Sequence, residues 1–454
     1  MRFENVLIAN RGEIAVRIIR ACREQNLGCV SVYSTADREA LHVKFADHAV
    51  CIGPPATADS YLRMNAIIEA CLQTGATAVH PGFGFLSENA EFARLCRENG
   101  ITFIGPSPEC IAMLGDKARA KETMKAAGVP VIPGSQGAIR SLEEAKAVAK
   151  EIGYPVLVKA SAGGGGRGIR RVDSEEQLEE QLHVAQEEAR KFFGDDTVYL
   201  EKLIVGPHHV EVQMIADEYG NTVALGERDC SMQRRNQKVL EESPSPLMTP
   251  ALRDAMQKAA VAAAKACGYC NAGTIEFLVD HERHFYFMEM NTRIQVEHPV
   301  TEWVTGIDLV QTQLRIAQGE PLPFTQEDIV LRGHAIECRI NAENPDYNFR
   351  PSPGTIQALH LPGGMGVRID SAIYQGYTIP PYYDSMIAKL IVHAPTRKEA
   401  IQKMRWALSE FLVDGVETNI DFQLRLLKTE AFENGTYDNA FLMQWLEQTQ
   451  KTKK

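Results

Sequence analysis

The chain of 454 residues has no long apolar run. Its longest stretches without a charged side chain, Ala70 to Ser87 and Pro351 to Val367, are full of glycine, proline, threonine, glutamine or histidine, and neither could cross a bilayer. The early apolar segment Val6-Leu7-Ile8-Ala9 is stopped by Asn10-Arg11-Gly12-Glu13, too soon for a signal-peptide core. Basic residues are in deficit: 48 Lys and Arg face 59 Asp and Glu, for a net charge of −11. That argues against a nucleic-acid surface while leaving room for a local basic pocket. A disulfide or zinc framework is also missing. The ten cysteines are scattered through apolar segments, and Cys267-Gly-Tyr-Cys270 is a lone CxxC, read as two partly buried thiols. No Walker A loop, HRD or DFG occurs, and the first strand-to-helix turn, Asn10-Arg11-Gly12, lacks the GxGxxG of a dinucleotide site. The expectation left by these absences is a cytoplasmic protein of about three domains with no membrane or nucleic-acid partner.

What is present begins with strands and helices in alternation. Asn5–Ala9, Cys29–Tyr33, Ala76–Val79 and Ile101–Ile104 read as strands, and Glu13–Gln25, Asn65–Gln73 and Asn89–Glu98 as helices. This βαβ rhythm predicts a Rossmann-like parallel sheet over residues 1–114. From 115 to 330 the pattern becomes α+β. Helix starts are marked by Ser141 to Glu144, Ser174 to Gln177 and Thr249-Pro250, and strands are expected at 155–160, 169–172, 209–216 and 222–227. Gly319-Glu-Pro-Leu-Pro323 reads as a boundary. A mixed α+β domain follows over 331–446, with strands near 335–341, 354–361 and 388–392, a helix opened by the Thr396-to-Glu399 box, and a polar tail over 447–454.

Three segments could carry chemistry. Lys159-Ala-Ser-Ala-Gly163-Gly-Gly165-Gly166-Arg-Gly168 lies between two expected strands. No helix follows it, so it fits a hairpin flap whose bare N–H groups approach phosphates, with Lys159 adding charge. The second segment is Glu289-Met-Asn291-Thr-Arg293-Ile-Gln295-Val-Glu297. If extended, it places Glu289, Asn291, Arg293, Gln295 and Glu297 on one face. A hairpin turn between Glu282 and Arg283 would set Glu276 opposite Glu289. Two opposed carboxylates repel unless a cation lies between them, and with the Asn291 oxygen they make a set suited to Mg²⁺ or Mn²⁺. Arg293 then offers a fork for an oxyanion, and Glu297 a base. The third, Glu227 to Lys238, is rich in donors and reads either as a solvated basic loop or as an anion site ending at Lys238. Arg339 shares a polar strand face with Glu337 and Asn341.

Taken together, these residues resemble the biotin carboxylase family of the ATP-grasp superfamily. The match spans nearly the whole chain. It runs through Ile8-Ala-Asn-Arg-Gly-Glu-Ile-Ala15, His80-Pro-Gly-Phe-Gly-Phe-Leu-Ser-Glu-Asn89, Lys159-Ala-Ser and its glycines, and Glu227-Arg-Asp-Cys-Ser-Met-Gln-Arg-Arg235. It continues in Glu289 to Pro299, Glu337-Cys-Arg-Ile-Asn-Ala-Glu343 and Pro380-Pro-Tyr-Tyr-Asp-Ser385. The resemblance implies an N-terminal pre-ATP-grasp domain, a central ATP-grasp domain with its flap subdomain at about 131–203, and a biotin carboxylase C-terminal domain.

It implies site roles as well. Lys117, Lys159, Gly165, Gly166, Glu201, Lys202, Leu203, Ile204, His209, Gln233, Asn236, Glu276, Leu278 and Glu289 would meet ATP. Glu276, Glu289 and Asn291 would hold Mg²⁺ or Mn²⁺, two ions in all. Lys238, Arg293, Gln295 and Val296 would surround bicarbonate, with Glu297 as general base and Arg339 facing biotin. In the implied reaction bicarbonate attacks the γ-phosphate of ATP to give carboxyphosphate. Its CO₂ is then captured by biotin N1′, whose proton leaves on phosphate.

Asn236 departs from the family, where His is common, and keeps a hydrogen bond without a titration. Ala162, where a further glycine is common, would stiffen the flap. No Met-Lys-Met biotinylation motif occurs; Met124-Lys125-Ala126 is the nearest. Biotin is therefore expected on a separate carrier protein, with carboxyltransferase subunits completing an acetyl-CoA carboxylase for fatty-acid synthesis, and the chain itself a homodimer. A pyruvate or other acyl-CoA carboxylase, another ATP-grasp ligase, and an inactive nucleotide sensor are the alternatives.

Overall fold

The N-terminal strands are short, apolar and enclosed. Val6, Leu7 and Ile8 have no exposed surface, as suits a parallel strand covered on both faces. The structure, a computed structural model, describes residues 3–135, 137–160, 169–193 and 196–452. In the first sheet the strand order is His48–Gly53, Gly28–Ser34, Asn5–Ile8, Ala78–His80, Thr102–Phe103, and every pairing is parallel. The helix Gly12–Glu24 packs on it through Ile14, Ile18 and Cys22, one stripe at four-residue spacing. His48–Gly53, not among the expected strands, is an edge strand whose apolar residues Ala49 and Cys51 are exposed.

The chain divides into two compact units. The first comprises Met1–Val129, His208–Phe277 and Glu289–Lys454, the second Pro130–Pro207 and Leu278–Met288. The second unit carries a three-stranded antiparallel sheet in the order Ile169–Val172, Val156–Ala160, Val198–Lys202. Helices Leu142–Ile152 and Glu175–Phe193 cover it over a core that includes Val156, Val158, Leu178 and Leu200. The Ser141 hydroxyl accepts from the Glu144 N–H, but the Glu144 carboxylate turns to the Arg140 N–H, so that expected box closes on one side only.

An eight-stranded sheet runs in the order Phe285–Asn291, Asn271–Val279, His208–Ala216, Thr222–Arg234, Gln237–Ser243, His334–Asn341, Met386–Ala394, Val367–Ser371. The pairing from His208–Ala216 onward is antiparallel. Helix Arg397–Glu410 packs beside it and opens with the Thr396–Glu399 box closed in both directions. Among the described residues no helix is long and apolar enough to cross a membrane.

Candidate active site

Alternation along His208–Ala216 puts His209, Glu211 and Gln213 on one face, and all three are buried. On the neighbouring strand Arg228 lies directly opposite Glu211. Burying so many polar groups is costly unless each finds a partner, and here the partners form one network. Arg228, wholly buried, donates to Glu211 Oε1 (2.5 Å), Gln213 Oε1 (2.7 Å), Thr301 Oγ1 (2.9 Å), Thr274 Oγ1 (3.2 Å) and Gln295 Oε1 (2.7 Å). The segment Glu227 to Met232 is therefore buried strand and not a solvated loop, while Arg235 to Gln237 beyond it are exposed; the partners of Arg228 that make the burial possible lie 15 to 73 residues away along the chain.

That strand turns at Arg235-Asn236, both with positive φ (52° and 65°), into Gln237–Ser243. This is the conformation of a two-residue type I′ hairpin turn, which favours Asn. The turn delivers Lys238, whose Nζ lies 2.6 Å from Glu211 Oε2, 2.6 Å from Glu297 Oε1 and 3.0 Å from Glu276 Oε1. Glu276 also accepts from Asn291 Nδ2 (2.9 Å) and Gln295 Nε2 (2.8 Å). His209 completes this shell. The Gln233 amide donates both to the Cys230 carbonyl and to His209 Nδ1, which leaves the His209 proton on Nε2, 3.0 Å from Glu276 Oε2.

Arg339 donates through Nε to Glu241 Oε1 (2.7 Å) and through Nη2 to Glu297 Oε2 (2.9 Å). Burial alone would push the Glu297 carboxyl up; Lys238, Arg339 and Arg228 overcome it and hold the group well below the usual carboxylate range. Glu276 is shifted the same way, burial being outweighed by Lys238 and His209. Glu241 goes the other way. It is fully buried opposite the equally buried Glu337, and burial pushes it up to about 7 despite Arg339.

The strand containing Glu289 ends at Asn291, so the extended alternation expected through Glu297 stops there. Arg293, Gln295 and Glu297 converge for another reason: each is held by its own partner. Arg293 donates to Glu88 Oε2 (3.0 Å) and Asn291 Oδ1 (2.9 Å), and Glu88 also accepts from the Thr292 N–H. Gln295 bridges Arg228 and Glu276, and Glu297 is the residue that opens the helix His298–Thr305. Hairpin turn hydrogen bonds link Asp280 with His284 and Arg283, and the strands carrying Glu276 and Glu289 are sheet neighbours. Lys117 Nζ stands 3.6 Å from Glu289 Oε2.

In the second unit Lys159 Nζ is 2.5 Å from Glu201 Oε2. Lys202 Nζ donates to the Gly153 and Tyr154 carbonyls at 2.9 Å each, and the Leu203 N–H to the Pro155 carbonyl. Ile204 and Leu278 lie in the same unit. Gly165, Gly166 and Ala162 lie outside the described residues. Sequence reasoning passed over Glu88, Glu211 and Glu241. The available signal was the alternation of Glu211 with His209, which only an identified neighbouring strand makes meaningful.

Family models match three consecutive segments: "Biotin carboxylase, N-terminal domain" over residues 2–111, "Carbamoyl-phosphate synthase L chain, ATP binding domain" over 116–325, and "Biotin carboxylase C-terminal domain" over 337–444. Biotin carboxylase 1 of Bacillus subtilis is 58% identical over 440 residues, covering 97% of this chain and 98% of that protein. A pyruvate carboxylase subunit of Methanothermobacter thermautotrophicus is 53% identical, covering 97% of this chain and 89% of that protein. The biotin carboxylase domain dimer of Hydrogenobacter thermophilus 2-oxoglutarate carboxylase, solved with MgADP, ADP and bicarbonate, superimposes with a TM-score of 0.89 at 53% identity, covering 98% of each chain. Biotin carboxylase of Campylobacter jejuni gives 0.91 at 50%, covering 98% of this chain and 99% of that one. With its parallel-sheet N-terminal region, its ATP-grasp segment and this degree of identity along its length, the chain belongs to the biotin carboxylase family and is an ATP-dependent ligase.

Proposed function

We propose that the chain carboxylates biotin borne on a separate carrier protein, from bicarbonate and ATP, as the first half-reaction of an acetyl-CoA carboxylase in the cytoplasm. One observation carries the chemical part: a single carboxylate, Glu297, is gripped by two cations, Lys238 and Arg339, beside the acidic and amide groups Glu276, Asn291 and Gln295. Such a site can take an anion onto its cations while leaving a carboxylate to receive a proton.

In this reading Lys238, Arg293, Gln295 and the backbone at Val296 orient bicarbonate, and Glu297 removes its proton as it attacks the γ-phosphate. Carboxyphosphate then gives CO₂ and phosphate, phosphate takes the N1′ proton, and Arg339 faces the developing ureido oxyanion. Lys117, Lys159, Glu201, Lys202, Leu203, Ile204, His209, Gln233, Asn236 and Leu278 are assigned to the nucleotide, as are Gly165 and Gly166, which lie outside the described residues.

Glu276, Glu289 and Asn291 would hold Mg²⁺ or Mn²⁺. The fit is supported by the oxygen atoms these side chains can offer; Glu276 accepts from Lys238, His209, Asn291 and Gln295, donors that an ion would displace. When bound, the ions supply neutralisation of the nucleotide's phosphate charge.

Relatives from bacteria and plants named biotin carboxylase favour acetyl-CoA carboxylase, and the dimer named for the Hydrogenobacter domain favours a homodimer. The pyruvate and 2-oxoglutarate carboxylase chains among the relatives keep a second acceptor class open as the alternative. ATP hydrolysis that requires bicarbonate and rises with free biotin is the expected result; hydrolysis indifferent to bicarbonate would overturn the reading. Co-purification with a biotinylated carrier, and the identity of its carboxyltransferase, decides the acceptor.

A further inference from the structure

Lys389 is a lysine with no exposed surface in the otherwise largely apolar strand Met386–Ala394. Its Nζ donates to the Val296 carbonyl at 2.8 Å and lies 3.2 Å from Glu13 Oε2 and 3.8 Å from Asp370 Oδ2. The sheet register sets Lys389 directly opposite Arg339 on one side and Asp370 on the other. Residues directly opposite in a ladder project from the same face and are near neighbours. Arg339 and Lys389 therefore reach two adjacent residues from adjacent strands: Arg339 takes the Glu297 carboxylate, and Lys389 takes the carbonyl just before it.

The peptide joining Val296 to Glu297 is planar, so holding its carbonyl fixes the direction of the Glu297 N–H. It also places the Glu297 Cα, from which the side chain departs. Glu297 stands at the end of an irregular segment, Thr292 to Glu297, after the strand ends and before the helix His298–Thr305 begins. A buried ammonium is costly to desolvate, and an apolar side chain of the same volume would fill the space without that cost. Charge balance with Glu13 and Asp370 accounts for an ammonium there, but it does not account for one aimed at the Val296 carbonyl.

We propose that Lys389 is a positioning residue for the reaction: through the Val296 carbonyl it orients Glu297, while Arg339 orients the carboxylate end of the same side chain. The proposal rests on the reading of Glu297 as the base. Its test compares Lys389→Met with the double variant Lys389→Met/Glu13→Gln, in which the carboxylate left unpaired is neutralised as well. Melting temperature, the KM for ATP, and bicarbonate-dependent turnover stimulated by free biotin are read on the full chain.

The expected result is that the double variant recovers most of the melting temperature lost by the single variant yet keeps a turnover about a hundredfold below that of the parent, as misplacing a reacting group by an ångström does. Its KM for ATP stays within about threefold of the parent value. Turnover that returns together with stability would overturn the proposal and leave Lys389 a charge-balancing residue. A parent enzyme whose hydrolysis ignores bicarbonate would instead sink the underlying assignment of Glu297, so the two failures are distinguishable.

Discussion

Lys238 Nζ lies 2.6 Å from Glu297 Oε1, and the two side chains are 12% and 2% exposed. Arg339 holds the other carboxylate oxygen at 2.9 Å. With both cations engaged, Glu297 is ionised throughout the neutral range but is a weak base, because its charge is already compensated. In the proposed reaction, an anion that draws hydrogen bonds from Lys238 loosens that hold and raises the basicity of Glu297 as the proton is taken.

Glu297→Gln keeps the shape and one acceptor but removes the proposed base. Carboxylation should fall by roughly 10²–10⁴, the usual worth of a general base, with ATP affinity nearly unchanged. Isothermal titration with ATP beside steady-state turnover checks this; a large loss of ATP affinity contradicts the role.

Lys238→Gln removes the strongest of the cations that depress Glu297. A group held low by a cation rises when the cation is removed, so the acid limb of the pH profile of kcat/KM for bicarbonate should move to higher pH. An acid limb that stays put, or moves down, would show that another group governs it.

Asn236 occupies a left-handed turn position as well as a proposed place near the nucleotide. Asn236→His is compatible with that backbone and should change the KM for ATP more than turnover at saturation. Asn236→Val should cost about 1–2 kcal/mol in chemical denaturation, since a branched side chain resists positive φ. Equal ATP affinity with altered turnover in the His variant counts against nucleotide contact.

Arg228→Met would remove one of the two cations that hold Glu211, Lys238 being the other, and strand the buried Gln213 and Gln295 amide oxygens, a loss of about 3–5 kcal/mol. The double variant Arg228→Met/Glu211→Gln should regain part of it. Urea unfolding of the two variants measures the difference, and additive losses would refute the coupling.

Glu242 links distant segments, accepting from His334 Nε2 (2.6 Å) and from Arg397 Nε and Nη2 (2.7 and 2.9 Å). Burial would raise its carboxyl, but hydrogen bonds from His334 and Arg397 bring it down to about 2. A carboxyl depressed in the folded state adds stability above its ordinary pKa and loses it as the pH falls toward the folded value. About 3 kcal/mol should therefore disappear between about pH 4.5 and 2. Glu242→Gln should flatten the fall in stability over that range; an unchanged acid slope would remove Glu242 from the account.

The sequence alone determined the βαβ order of the first region, the helix starts at Thr249 and Thr396, and the residue types of the site, because these depend on local periodicity and spacing. The resemblance carried by its motifs named the family that the comparisons then showed. Tertiary structure decided which polar residues are buried and with whom. Glu211 faces Arg228 through a strand register, Glu88 meets Arg293 across 205 residues, and Lys389 lies beside Arg339 across a ladder. An isolated lysine in an apolar strand, or a dense run such as Glu227 to Lys238, looks the same in sequence whether solvated or enclosed. Only the long-range partners that satisfy its hydrogen bonds make burial affordable, and those partners are set by how strands pair and not by their order along the chain.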